Sequence, residues 1–156
     1  MNKFVKVLWG IGFWLVSLTW GALMTIPGLI ITGFCIIFLK GKLHRNGFSY
    51  IVEIGGNWGG LDLGAVALCG NYYPGDWYEH TRRHEFGHAV QQLIFGPLQV
   101  FIVGIPSAIR YWYQRLTPGP HQEHDQAIYE YTASKWGYIW INKIEGTNLK
   151  YTFKRK

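Results

Sequence analysis

The chain has 156 residues and a mass of 18.0 kDa, with 15 Lys+Arg against 9 Asp+Glu, which fits one domain with a modest core and leaves no room for a second catalytic domain. Charged residues make up 15% and aromatic residues 17%, a mixture too apolar and aromatic for disorder. The net charge of +6 is spread over the flanks of apolar segments and a basic tail, which argues against a nucleic-acid module.

The first element is apolar. No charge occurs in the 33 residues between Lys6 and Lys40, and as one helix this run would be about 50 Å long, against a hydrocarbon core of roughly 30 Å. Pro27-Gly28 is where a break is expected, dividing the run into Val7 to Met24 and Leu29 to Leu39 with Thr25 to Gly28 as the turn. The reading is an N-terminal membrane helical hairpin or re-entrant pair. Lys3, Lys6, Lys40, Lys42 and Arg45 place both ends on the cytoplasmic side under the positive-inside tendency. A cleavable signal peptide fits poorly, because the apolar stretch is too long and lacks a small-x-small cleavage site. Cys35 and Cys69 allow one bridge at most, and with Cys35 inside the apolar run both read as buried thiols.

From Phe48 the pattern alternates through Ile54, passes a glycine-rich turn at Gly55 to Gly60, and alternates again from Leu61 to Cys69, which predicts a β-hairpin. Asn71 to Gly75 reads as a loop, and Asp76 with Glu79 resembles a capping box opening a helix near Trp77. A second apolar stretch, Leu93 to Ile109, holds Gly96, Pro97, Gly104 and Pro106 and is too broken for a regular span. Basic residues flank both its ends, so it is expected to be re-entrant or packed on the hairpin. After Thr117 to Pro120, Glu123 to Trp140 reads as a helix, followed by a basic tail at Lys150 to Lys156.

The chemistry lies in His84-Glu85-Phe86-Gly87-His88. Residues four apart share a helical face, so both imidazoles can meet one metal while Glu85 reaches a metal-bound water. With six His and six Glu in 156 positions, chance yields this pattern about once in a hundred such sequences. Gly87 inside a helix signals a close neighbour, with the hairpin as the candidate. A catalytic zinc needs a third protein ligand and an open water position; Glu130, His121, His124, Asp125 and His80 are candidates. Glu130 is favoured because Glu130-x-x-Ala133-x-x-x-Gly137 presents small residues suited to close packing on the His84 helix. His80 sits one turn too far along the same helix and reads as a lining residue.

These residues resemble the zincin metallopeptidases, and within them the gluzincin arrangement of two His and one Glu. His84-Glu85-Phe86-Gly87-His88-x-x-Gln91, Gly96-Pro97, Ile105-Pro106-Ser107, Tyr129-Glu130 and Ala133 are similar to small bacterial membrane proteins carrying HEFGH or HEYGH. The resemblance spans roughly residues 58 to 137. It implies zinc held by His84, His88 and Glu130, Glu85 as general base and later proton donor, and Trp58 to Cys69 in the place of the edge strand that aligns substrate. Ser134 stands where the gluzincin pattern has an acidic residue, which weakens the expected support for a ligating His.

The expectation is an α+β fold, mainly helical, with a membrane hairpin over residues 1–45 and a zincin-like metal-binding domain over 46–156. The expected activity is that of a membrane-anchored zinc metalloendopeptidase, its site near the cytoplasmic face and its substrate a peptide or membrane-protein segment. Tyr129, Tyr131, His80, His121 and His124 are candidate oxyanion stabilisers. Two other readings are a membrane interaction protein with a structural or inactive zinc site, and a zinc hydrolase acting on a non-peptide bond.

Overall fold

The computed structural model describes residues 1–56, 58–70, 76–119 and 126–152. The fold is α+β, with five α-helices and one small four-stranded sheet among the described residues. The predicted loop at 71–75, His121, His124, Asp125 and the last four residues of the tail lie outside the described residues.

The apolar run forms helix α1, Lys3–Thr19, and helix α2, Ala22–Phe38. Asn2 starts α1 by accepting a hydrogen bond from the Val5 amide at 2.9 Å. The break falls at Trp20-Gly21 instead of the expected Pro27-Gly28, which continues inside α2. Pro27 lies in the second turn of α2, past the amides that lack an intrahelical partner, so it removes one helical bond, the one to the Leu23 carbonyl, without ending the helix. Gly21 sits under the Gln92 side chain and its carbonyl accepts from Gln92 Nε2 at 2.6 Å. Gly28 serves close approach, since a Cβ there would overlap the Leu63 backbone. The two helices meet at 99°, a bend that differs from a tight hairpin, one of the two forms expected, and leaves the re-entrant pair, the other. Among the described residues no single helix is long and apolar enough to cross a membrane, although the bent pair α1 and α2 has the combined length and composition.

The expected single β-hairpin is instead a mixed sheet in the order β1-β2-β4-β3, built from β1 (Lys42–Asn46), β2 (Ser49–Glu53), β3 (Gly60–Asp62) and β4 (Val66–Cys69). Strand β1 pairs antiparallel with β2 across a tight turn at Gly47, whose φ is +63°. This pairing uses Lys42 and Arg45, two of the basic residues expected to flank the apolar run. The alternating stretch Leu61 to Cys69 does not run as one strand, because Gly64 turns it back with a φ of +90°. β3 therefore pairs antiparallel with β4, and β4 lies parallel to β2. β3 is left at the sheet edge.

Helix α3, Asp76–Phe95, carries the HExxH residues, and helix α5, Ile128–Glu145, packs along it. A Cβ on Gly87 would overlap the Ala133 backbone, and one on Gly137 would overlap the Arg83 backbone. The close neighbour of Gly87 is thus α5 and not the sheet, in agreement with the small-residue face predicted around Glu130. Gly146 ends α5 in the left-handed conformation at φ +76°. At the far end of the pair Arg82 bridges Glu79 and Glu145 at 2.6 and 2.8 Å, and the buried Arg83 bonds Glu79 and Asn142 at 2.6 and 2.9 Å.

Phe13 from α1, Phe48, Phe86, Ala89, Ile141 and Ile144 form the main core. Phe13 stacks on Phe86 at 6.0 Å, and Trp14 donates to the Phe48 carbonyl at 2.9 Å, so α1 is docked on the α3 and α5 pair. After α3 the chain passes a 3₁₀ turn at Gly96–Leu98 and a π-helical turn at Val100–Gly104 into helix α4, Ile105–Leu116. The bend from α3 to α4 is 115°, consistent with the broken pattern read from Leu93 to Ile109. Cys35 and Cys69 are both free and buried.

Candidate metal centre

His84 and His88 project from one face of α3, and Glu130 faces them from the first turn of α5. All three are buried and offer ligand atoms within one small volume. His84 Nε2 and His88 Nε2 are 3.1 Å apart, and the two lie 3.1 and 3.0 Å from the same Glu130 oxygen, Oε2. Ligand atoms at 2.0–2.1 Å from a tetrahedral ion are separated by about 3.3 Å, so a few tenths of an ångström of opening would seat a metal.

The protons decide what this triangle is for. Gln91 donates through Nε2 to the Tyr129 carbonyl at 2.7 Å and to Thr132 Oγ1 at 2.8 Å, which turns its carbonyl oxygen toward His88 Nδ1 at 2.8 Å. That oxygen only accepts, so Nδ1 of His88 carries hydrogen and Nε2 of the neutral ring presents a lone pair to the centre. His84 Nδ1 bonds Ser134 Oγ at 2.7 Å, so its Nε2 is likewise turned inward. Two imidazole nitrogens and a carboxylate oxygen converging on one buried point need a cation or a proton between them. Without a metal the proton takes that role. Burial, the largest single influence on His88, opposes its charge, yet the hydrogen bond and charge of Glu130, helped by Glu85 and Asp62, lift His88 to about 10.

Ser134 supplies the support whose carboxylate form the gluzincin pattern led one to expect. A hydroxyl orients His84 without adding a charge. Gln99, also buried, donates to the backbone carbonyl of His88 at 3.1 Å and holds the ligand helix from the turn after α3.

Comparison with protein-family models, curated proteins and solved structures finds no match.

A cavity of about 630 Å³ opens beside the three ligands, lined by Glu85, His84 and His88 from α3, Gly60 and Asp62 from β3, and Ser107 and Tyr111 from α4. Its size is that of a binding cleft. Gly60 lets the sheet edge lie directly on the Glu85 carboxylate, which a Cβ there would displace. His80 lines the cavity one turn before His84, stacked on Tyr151 at 6.0 Å and 6.0 Å from the His84 ring, in keeping with a lining role. Tyr129 joins the site through its carbonyl on Gln91. Asp62 was missed by sequence reasoning. Both its carboxylate oxygens are buried, and burial pushes the carboxyl up to about 7 against the pull of His88 and the Gly64 amide. Its only sequence signal was a lone acidic residue in an otherwise apolar strand.

Proposed function

We propose that this chain is a membrane-anchored zinc hydrolase of the gluzincin kind, acting on peptide bonds. The observation that carries the reading is the convergence of two Nε2 atoms and the Glu130 carboxylate within 3.1 Å, beside a cavity that Glu85 lines. His84, His88 and Glu130 would hold the ion, and the pair of His and one carboxylate leaves a fourth position for water. Zinc bound there supplies Lewis acidity and lowers the proton affinity of its water. Glu85 accepts a proton at its carboxylate and returns it to the departing amine nitrogen. β3, at the sheet edge against Glu85, is positioned to align an extended peptide. His80 supplies a further polar group along the cavity.

The bent α1 and α2 pair, with large apolar side chains exposed along both helices, supports anchoring in a bilayer and a substrate drawn from membrane proteins or peptides at its surface. The test is elemental analysis of detergent-purified protein with a peptide-library assay. The expected result is about one zinc per chain, lost in His84→Ala and Glu130→Ala and kept in Glu85→Gln. Peptide hydrolysis in Glu85→Gln should fall by about 10²- to 10⁴-fold. A metal-free wild type after reconstitution, or hydrolysis indifferent to Glu85→Gln, would sink the reading; zinc retained with no hydrolysis of peptides would favour a structural site.

A further inference from the structure

Helix α4 has two different faces. Ile105, Ile109, Trp112 and Leu116 recur at intervals of four, three and four, which is one stripe of a helix, and they are 45, 65, 56 and 75% exposed. Phe101 and Ile102 in the preceding turn extend the apolar surface. Another side of the same helix, through Ser107, Tyr111 and Gln114, walls the cavity that holds Glu85, His84 and His88, and Trp112 of the stripe lines that cavity as well. Helix α2 borders that cavity as well, through Met24.

We infer that α4 lies in the plane of an anionic lipid surface, its Ile105–Ile109–Trp112–Leu116 stripe in the acyl boundary, so that the catalytic cavity opens at headgroup level. Charge selects this occupant. No Asp or Glu occurs from Leu93 to Leu116, while Arg115 on α4 is exposed and lies over the Tyr111 ring at 6.0 Å. An apolar stripe with Trp and Tyr near its margin, Arg as the only ionised side chain and 12 residues of length is the composition of an interfacial helix and too short for a span. A protein groove would need an acidic complement to the exposed Arg115, whereas phosphatidylglycerol headgroups supply that charge along the whole helix.

The consequence for substrate class rests on the hydrolase reading: a polypeptide segment leaving the bilayer meets the cavity at the depth where its backbone becomes free to extend. The placement of α4 itself does not depend on metal.

Site-directed spin labelling of the full chain tests the placement. Nitroxides are attached at Ile109→Cys, Leu116→Cys and, as an aqueous reference, Lys42→Cys on the exposed start of β1, with the buried Cys35 and Cys69 left in place and the unsubstituted chain as the labelling blank. In vesicles containing phosphatidylglycerol, the ratio of oxygen to nickel-chelate collisions at 109 and 116 should exceed that at 42 by about fivefold or more, and should fall at least about twofold in phosphatidylcholine alone. Ratios at 109 and 116 equal to that at 42, labels shielded from both reagents as in a protein contact, or ratios indifferent to lipid charge would each overturn the proposal. The same pattern in a His84→Ala chain separates this result from the hydrolase reading, which fails through metal content and activity.

Discussion

The α3–α5 contact and the outer surface of α1, α2 and α4 depart from ordinary globular design in opposite directions. In the first, His84, His88, Gln91, Glu130 and Ser134 are buried side by side, and nearly every polar atom is directed by another. In the second, Phe4, Ile30, Ile37, Ile109 and Leu116 stand 65–75% exposed with no polar compensation. Burying polar groups requires directed hydrogen bonds, and a large exposed apolar surface marks a face suited to a partner or a bilayer. The contrast sets a polar cluster inside the protein against an apolar surface outside it, and α4 borders the cavity beside the first while carrying part of the second.

The sharpest way to break the comparison is to separate the two helices. Gly87→Ala should destabilise the fold by about 3 kcal/mol, because overpacking against the Ala133 backbone outweighs the gain of about 1 kcal/mol that alanine offers in a free helix. Urea unfolding measures it, and an unchanged midpoint would mean that α3 and α5 do not approach as closely as described. Gln91→Leu preserves the ligands and removes the group that orients His88, together with its bonds to Tyr129 and Thr132. Metal affinity by chelator competition should fall about 10- to 100-fold, with far-UV circular dichroism unchanged.

The pH dependence has opposite signs with and without metal. In the metal-free chain His88 is raised from 6.5 to about 10, so the stability it contributes is fully present below about 6.5 and lost as pH rises through 10. A metal must displace that proton, so zinc affinity should strengthen by about tenfold per pH unit across the neutral range if one proton is released. Isothermal titration in buffers of different ionisation enthalpy counts the proton. A pH-independent affinity would show that the centre holds no proton to displace.

The smallest effect belongs to the outer surface. Ile30→Ser and Ile37→Ser, at 68 and 71% exposure, should move unfolding by less than about 0.5 kcal/mol in detergent while lowering retention in lipid vesicles. A large loss of stability would instead assign that face to packing within the protein.

Much of the site was legible along the chain. The four-residue spacing of His84 and His88 is a local property of a helix, and the small residues after Glu130 announced a helix that could approach closely. The strand pairing was less so. Leu61 to Cys69 alternates as one strand would, and only the left-handed turn at Gly64, with β4 inserted beside β2, makes two strands of it. Likewise Pro27-Gly28 looked like the break in the apolar run, while Gln92, 71 residues beyond Gly21, holds the real one.

By itself the sequence determined the periodic elements, the two imidazoles on one helical face and the apolar character of the first 39 residues, because each follows from spacing within a few turns. Tertiary structure decided the rest. It selected Glu130 from the described candidates, gave Ser134 and Gln91 the task of turning the imidazoles, and buried Asp62 beside them. Those roles depend on which backbones come within a hydrogen bond of one another, and that is settled by the glycine contacts of α3 with α5 and by the sheet edge lying on Glu85.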